Sequence, residues 1–472
     1  MFEFLRSLFG LGFMQTVLAV FEIFFVIYLV GYSSFLFISV LVGGNEIFEG
    51  TKKRRLRNEI THDYYVPISV VVPAYNEEVT IVETIRSLLN LDYRIYEIIV
   101  VNDGSKDSTG ELVAETFHLR QVNRPIRRQV PCAEVLSVWE GAGAGRVPIT
   151  LINKANGGKA DSINAGINAS QYPYFVCMDA DSILQRDSLA MIAVPVLENL
   201  DVVAVGSMIR ISNDCVFENG ELVQLRLPKR LTPAFQVLEY ERSFLASRIL
   251  LDKFNANLII SGAFGLFKKE AVIHVGGYHV GCVGEDMELI MKLHAYYRSN
   301  HLPYQIKYAY NAVCWTQAPE RFRDLLKQRK RWHIGLMQSM LGHKSVVTKG
   351  SYLYYLFYEL LSPIIELLGL LVTFLAYVFG LLNLRYMVAM LLVYALFGSM
   401  LTVISFITRN YLSNIRVRPV DILKAFLLCI PENLLIRFIL AWTRILAVFF
   451  WRGKKTRWGE IKRKKIDYNQ VA

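Results

Sequence analysis

Two carboxylates one residue apart, Asp179 and Asp181, close the apolar run Tyr174-Phe175-Val176-Cys177-Met178. Unpaired, such charges repel. A hard cation such as Mg²⁺ or Mn²⁺ relieves this, with substrate phosphates completing its oxygen shell. The plainer alternative is a capped helix start over residues 184–197. Upstream, Asn153-Lys154-Ala155-Asn156-Gly157-Gly158-Lys159-Ala160-Asp161 sets a glycine pair and Lys159 at a helix entry. Exposed N–H groups and a point charge there suit a diphosphate. No GxxxxGK[ST] spacing is present, which argues against a nucleotide-hydrolysing motor. Gly284-Glu285-Asp286 follows the glycine-rich stretch 276–281 and offers a general base, or simply an acidic first helical turn.

Two further segments pass from a β-branched run into a polar elbow: Val70-Val71-Val72-Pro73-Ala74-Tyr75-Asn76-Glu77-Glu78 and Ile99-Val100-Val101-Asn102-Asp103-Gly104-Ser105. Their carboxylates could accept from the hydroxyl or imide groups of a nucleoside packed near Tyr75; turn and capping chemistry is the alternative. The last element is Gln328-Arg329-Lys330-Arg331-Trp332. At ~100° per residue, Gln328, Arg331 and Trp332 share one helix face, while Phe322, Leu325, Leu326, Leu336, Met337 and Met340 form a separate apolar arc. One face can lie on a membrane while the other presents an amide, a guanidinium for phosphate and an indole for a sugar ring.

These residues need a scaffold. Runs at 68–72, 98–101, 150–152, 174–178 and 202–205 read as buried strands, separated by amphipathic stretches such as 79–89 and 160–169. That alternation predicts an α/β domain, a mostly parallel sheet flanked by helices, with ligands at the strands' carboxyl ends.

The whole chain is unusual in its apolarity. Of 472 residues 53% are hydrophobic and 20% charged, with a net charge of +11. The six cysteines are scattered with no CxxC pair, which argues against a zinc ribbon and a secreted disulfide framework. Much of the positive charge flanks apolar blocks, so membrane orientation accounts for it and nucleic acid is not an expected partner. Residues 13–42 would form a helix of ~45 Å, enough to span a bilayer once. The basic cluster Lys52-Lys53-Arg54-Arg55-Leu56-Arg57 then marks the following segment as cytoplasmic. The expected layout is a membrane helix and basic flank at 1–60, a catalytic segment at 61–318, amphipathic interface helices at 319–362, and transmembrane or interfacial helices with a basic tail at 363–472. Residues 364–382 and 386–408 read as a spanning hairpin. Residues 420–451, broken at Pro431 and carrying Arg437 and Arg444, read as a re-entrant or interfacial pair.

Taken in order, these motifs resemble the membrane-bound family 2 glycosyltransferases, the group containing bacterial cellulose, hyaluronan, chitin and poly-N-acetylglucosamine synthases. The resemblance covers roughly residues 65–340 and the flanking membrane layout. It implies a GT-A fold and a UDP-sugar donor, UDP-glucose or UDP-N-acetylglucosamine, used with Mg²⁺ or Mn²⁺. It also implies a growing polysaccharide as acceptor, in a multi-pass protein of the plasma (inner) membrane. By the same resemblance Tyr75, Glu77 and Asp103 hold uridine, Lys159 lies near the diphosphate, and Asp179 and Asp181 bind metal and diphosphate. Asp286 becomes the catalytic base beside Glu285 at the acceptor, Gln328 and Arg331 contact diphosphate, and Trp332 positions the acceptor.

The implied product is a β-linked, exported polymer; single addition to a membrane lipid, as by ceramide glucosyltransferases, is the alternative. A transport or scaffolding subunit is a third reading, opposed by the intact acidic motifs. The family often carries Thr-Glu-Asp where Gly284 here precedes the acidic pair. Inserts at 119–147 and 213–233 have no assigned role, and no cyclic-dinucleotide regulatory domain is expected. The few spans imply an accessory subunit or self-association for a complete channel.

Overall fold

The computed structural model describes residues 11–58, 65–143, 147–218, 221–343, 349–378, 380, 382–412 and 417–449; the basic tail around 454–465 lies outside them. Helix α1 (Leu11–Asn58) is continuous over 48 residues. Its Thr16–Gly50 stretch is long and apolar enough to cross a membrane.

Next comes the sheet. Its strands are β1 (Ile68–Ala74), β2 (Tyr96–Asn102), β3 (Arg120–Val122), β4 (Val135–Ala142), β5 (Pro148–Lys154), β6 (Tyr174–Met178), β7 (Ile183–Leu184) and β8 (Val202–Ile211). A small hairpin, β9 (Val216–Glu218) and β10 (Glu221–Gln224), interrupts before β11 (Phe264–Lys268) and β12 (Gln305–Thr316). Among the described residues ten of these form one sheet, ordered β3-β4-β5-β2-β1-β6-β11-β8-β12-β7. The expected parallel layer exists as β5-β2-β1-β6, and β12 also runs parallel to β8. The other pairings are antiparallel, so the sheet is mixed. Part of the reason is the 119–147 insert, which folds back as β3–β4 on the edge of β5. The strand β11 is the other part, returning antiparallel between β6 and β8.

Alternation along the central strands feeds two cores. Val70, Val72, Ile98 and Val100 enter one, while Val71, Ile99 and Val101 enter the other. Both faces are therefore covered, which is why these strands read as unbroken β-branched runs. Helix α2 (Lys159–Ala169) covers the second face through Ile163, Ala165 and Ile167. The remaining site helices are α3 (Leu231–Arg242), α4 (Glu285–Ser299) and α5 (Phe322–Gly342).

The apolar arc of α5 packs inside the protein. Met340 is buried in a cluster with Leu258, Met287 and Tyr355, and Leu325 and Met337 are buried too. Insert 213–233 becomes the β9–β10 hairpin and a strut to the C-terminal helices, where Lys424 Nζ donates to the Pro228 carbonyl at 2.6 Å.

Those helices are α6 (Ser362–Val378), α7 (Leu384–Leu412), α8 (Pro419–Pro431) and α9 (Arg437–Phe449). The segment Gly350–Leu360 meets Ser362–Val378 at a 55° bend, and Leu384–Thr408 is another candidate span. The expected break at Pro431 does not occur. Pro419–Phe449 is one apolar helical run of 31 residues, long enough to cross. A π-turn at Glu432–Ile436 absorbs the backbone mismatch that proline introduces. The charges have partners: Arg437 grips Glu366 at 2.9 and 2.5 Å, and Glu432 is held by Arg242 at 3.0 and 3.1 Å. Paired in this way, ionised groups are tolerated among apolar helices. The protein is membrane-associated.

Candidate active site

The carboxyl ends of β1, β2, β5 and β6 converge on one edge, where α2 and α4 begin. At the end of β2, Asp103 is buried and its carboxylate is fully engaged. Oδ1 accepts from Lys154 Nζ at 2.5 Å and from the Gly157 N–H at 2.9 Å. Oδ2 accepts from the Gly158 N–H at 2.8 Å and from Asn156 Nδ2 at 3.2 Å. Lys154, itself fully buried, also pairs with Asp161 at 2.7 Å. Asp161 in turn accepts the Ala133 N–H from the β3–β4 insert at 3.0 Å. The Gly157 and Gly158 N–H groups thus face Asp103, and Asp103 shapes the loop that leads into α2. Gly158, with φ of +90°, adopts a backbone that a side chain would strain.

Anchoring this loop sets Lys159 at the start of α2. Its ammonium contacts Asp179 and reaches the Gly262 carbonyl at 3.3 Å. Burial disfavours that charge, but Asp179 and Glu285 outweigh it and hold Lys159 above the usual lysine range. The Gly262 N–H donates to Asp286 Oδ2 at 3.2 Å. One strand-end loop therefore links Lys159, Asp179 and Asp286, residues far apart in sequence. Asp286 Oδ1 accepts the Met287 N–H at 2.8 Å, which fixes the carboxylate at the first turn of α4. Burial pushes the neighbouring Glu285 carboxyl above its ordinary range, against the pull of Lys159 and with a push from Asp286.

Glu77 is buried, and its carboxylate accepts from the Thr80 hydroxyl at 2.8 Å; Tyr75 is half-buried beside it. Asp181 lies half-buried two residues beyond Asp179. Among the described residues no group of three His, Cys, Asp or Glu side chains is arranged to hold a metal. Two carboxylates at one strand end, one already drawing a cation, fit a hard ion whose other ligands come from substrate and water.

Helix α5 closes the site. Arg331 bears electrostatically on Glu285, and the buried Gln328 Oε1 accepts no hydrogen bond among the described residues. Trp332, 41% exposed, stacks on Tyr240 of α3 with centroids 6.4 Å apart. Arg329, which motif reading passed over, lies 4.3 Å from the Trp332 ring and pairs with Glu239 at 2.7 Å. Only the apolar spacing around it, which places residue 329 toward the core, hinted at that role.

Farther along α4, His294 anchors the helix. It is buried between the Tyr304 hydroxyl at 2.8 Å and the Asn257 carbonyl at 3.0 Å, and burial lowers its pKa to about 4. A histidine with a depressed folded-state pKa contributes stability that is present above ~6.5, its unfolded value, and is lost as pH falls toward 4. We expect His294→Gln to flatten the unfolding free energy between pH 7 and 4, where the wild type loses roughly 3 kcal/mol more. Denaturation at several pH values checks this; parallel curves would refute it.

Residues 66–335 match the family model described as "Glycosyltransferase like family 2". A poly-beta-1,6-N-acetyl-D-glucosamine synthase of Staphylococcus epidermidis is 29% identical over 342 residues, 71% of this chain and 72% of that one. Its namesake in Staphylococcus aureus strain COL is 29% identical over 309 residues, 65% of this chain and 64% of that one. Among solved structures, mannosyltransferase PcManGT from Pyrobaculum calidifontis, in complex with GDP-Man and Mn²⁺, aligns with a TM-score of 0.47 at 19% identity, covering 86% of this chain and 99% of that one.

Proposed function

The chain belongs to glycosyltransferase family 2, a GT-A-like enzyme, and on that premise we propose that it polymerises UDP-N-acetylglucosamine into an exported β-linked polysaccharide. The carrying observation is the contact chain Asp179–Lys159–Gly262–Asp286, which holds a candidate diphosphate site and a candidate base on one loop. Similarity to poly-beta-1,6-N-acetyl-D-glucosamine synthases supports the choice of sugar. Tyr75 and Glu77 flank the nucleoside end, and Lys159, Gln328 and Arg331 face the diphosphate.

In the reaction the acceptor hydroxyl attacks C1 of the sugar as Asp286 takes its proton. The C1–O bond to the β-phosphate breaks, its electron pair leaves with UDP, and an α-linked donor yields a β-glycosidic bond. Asp179 and Asp181 would hold Mg²⁺ or Mn²⁺, which when bound neutralises diphosphate charge. Arg331 supplies a fixed positive charge on the same side. Trp332, exposed and stacked on Tyr240, gives the acceptor sugar a flat apolar platform.

Beyond it, polar and aromatic groups run among the apolar helices. Tyr32 and Tyr358 stack at 5.3 Å, and the Arg437–Glu366 pair lies alongside. Such groups at membrane depth support a route for a sugar chain. The basic cluster of residues 52–57 at the end of α1 supports a multi-pass plasma-membrane protein with its catalytic segment cytoplasmic.

The test uses the full chain in nanodiscs with Mg²⁺ or Mn²⁺ and either UDP-N-acetylglucosamine or UDP-glucose. High-mass product from the first donor is expected. One sugar on a lipid, or polymer from UDP-glucose alone, would overturn the reading.

A further inference from the structure

Beside the acidic pair, two glycines meet backbone to backbone. A Cβ built on Gly284 would lie 2.9 Å from the Cα of Gly335. One built on Gly335 would lie 2.8 Å from both the Cα and the N of Gly284. Real Cβ atoms do not approach so closely. Gly284 has a φ of −115°, so its backbone shape does not demand glycine. The contact does.

One helical turn beyond Gly335, Gln338 secures the same joint, its Oε1 accepting the Val283 N–H at 3.2 Å. At ~100° per residue, Gln328, Arg331, Gly335 and Gln338 fall within about 80° of arc on α5. The face that docks on the turn before Glu285 is thus the face that carries the two candidate diphosphate residues. A side chain at either glycine would push α5 away from the acidic turn by about an ångström, taking Gln328 and Arg331 with it.

Resting on the function proposed above, we infer that Gly284 and Gly335 are positioning residues. Their contact sets the separation between the Glu285–Asp286 turn and the Gln328–Arg331 clamp. It also gives a physical reason for glycine where the resembled family often has threonine. Neither glycine touches substrate; each acts through the helix it lets approach. Misplacement of reacting groups by about 1 Å can cost on the order of 100-fold in rate.

The experiment compares wild type, Gly335→Ala, Gly284→Ala and Gly342→Ala in nanodiscs, measuring kcat and KM for UDP-N-acetylglucosamine, UDP binding and thermal unfolding. Gly342 lies on the same helix, and a methyl added there would meet nothing within 4 Å, so its variant is the control. We expect kcat at Gly335→Ala and Gly284→Ala to fall at least tenfold, with donor KM and UDP affinity changing less than threefold. The control should match wild type. A wild-type kcat in both glycine variants would overturn the inference. So would a loss explained wholly by a smaller folded fraction, with unchanged turnover per folded molecule. Should both variants fail to fold, Gln338→Ala decides, because it loosens the joint without adding bulk. A drop of about threefold in kcat at constant KM supports the joint, and an unchanged kcat refutes it. Wild-type protein inactive on UDP-N-acetylglucosamine would instead sink the proposed donor, and the same kcat comparison is then made with UDP-glucose: a drop of at least tenfold in the glycine variants but not in Gly342→Ala would keep the joint, and equal kcat values would remove it.

Discussion

Asp286→Asn is expected to reduce turnover by ~10²- to 10⁴-fold, the usual worth of a positioned general base. In free energy that is roughly 3–5 kcal/mol of lost transition-state stabilisation. The substitution keeps the size of the side chain, so the donor site should survive and UDP affinity should change little. Stability should fall slightly. The carboxylate accepts from both the Gly262 and Met287 N–H groups, whereas an amide can accept through only one of its two terminal atoms. One backbone N–H therefore loses its partner, a cost of about 1 kcal/mol. Steady-state kinetics beside UDP calorimetry separates these effects. Glu285→Gln is the essential comparison, because that carboxyl adjoins the same site and is pushed upward by burial. If Glu285→Gln abolished turnover while Asp286→Asn spared it, the base would be Glu285.

The central strands were legible because both of their faces are buried. Unbroken runs such as 68–72 and 174–178 leave no alternation to misread, and structure only lengthens most of them. Asp179, Asp286 and Lys159 were legible for a related reason, since each stands where an apolar run or glycine stretch turns polar. What escaped depends on partners far away in sequence. Nothing local to Lys154 shows that it is buried between Asp103 and Asp161, because a lysine after a strand ordinarily reads as solvated. The role of Arg329 likewise needs Glu239, ninety residues upstream. Gly284 could be seen as a departure from a familiar pattern, but its reason lies on another helix, at Gly335. Pro431 misled in the opposite direction. Proline does remove a helical hydrogen bond, yet a π-turn at Glu432–Ile436 carries the helix through.

Lys154→Met carries the largest expected loss of stability. Lys154 is wholly inaccessible, and its ammonium meets two carboxylates that are themselves almost completely buried. Methionine fills nearly the same volume but leaves both carboxylates without their cation. Breaking a buried pair by deleting one partner costs about 3–5 kcal/mol, because the desolvated charge remains. The backbone N–H groups of Gly157 and Gly158, and of Ala133, offset only part of this.

The same change should also weaken donor binding, since the loop that Asp103 organises delivers Lys159 to Asp179. Stability and positioning can be separated with Lys154→Met/Asp103→Asn. Neutralising Asp103 removes one stranded charge and should recover part of the lost stability. Donor affinity should not return, because a single amide oxygen cannot hold the Gly157 and Gly158 N–H groups together as the carboxylate does. Chemical denaturation and UDP-N-acetylglucosamine binding on the two variants check both halves. Affinity that rose in step with stability would mean the triad serves folding alone, and the loop would then need no charge to hold its shape.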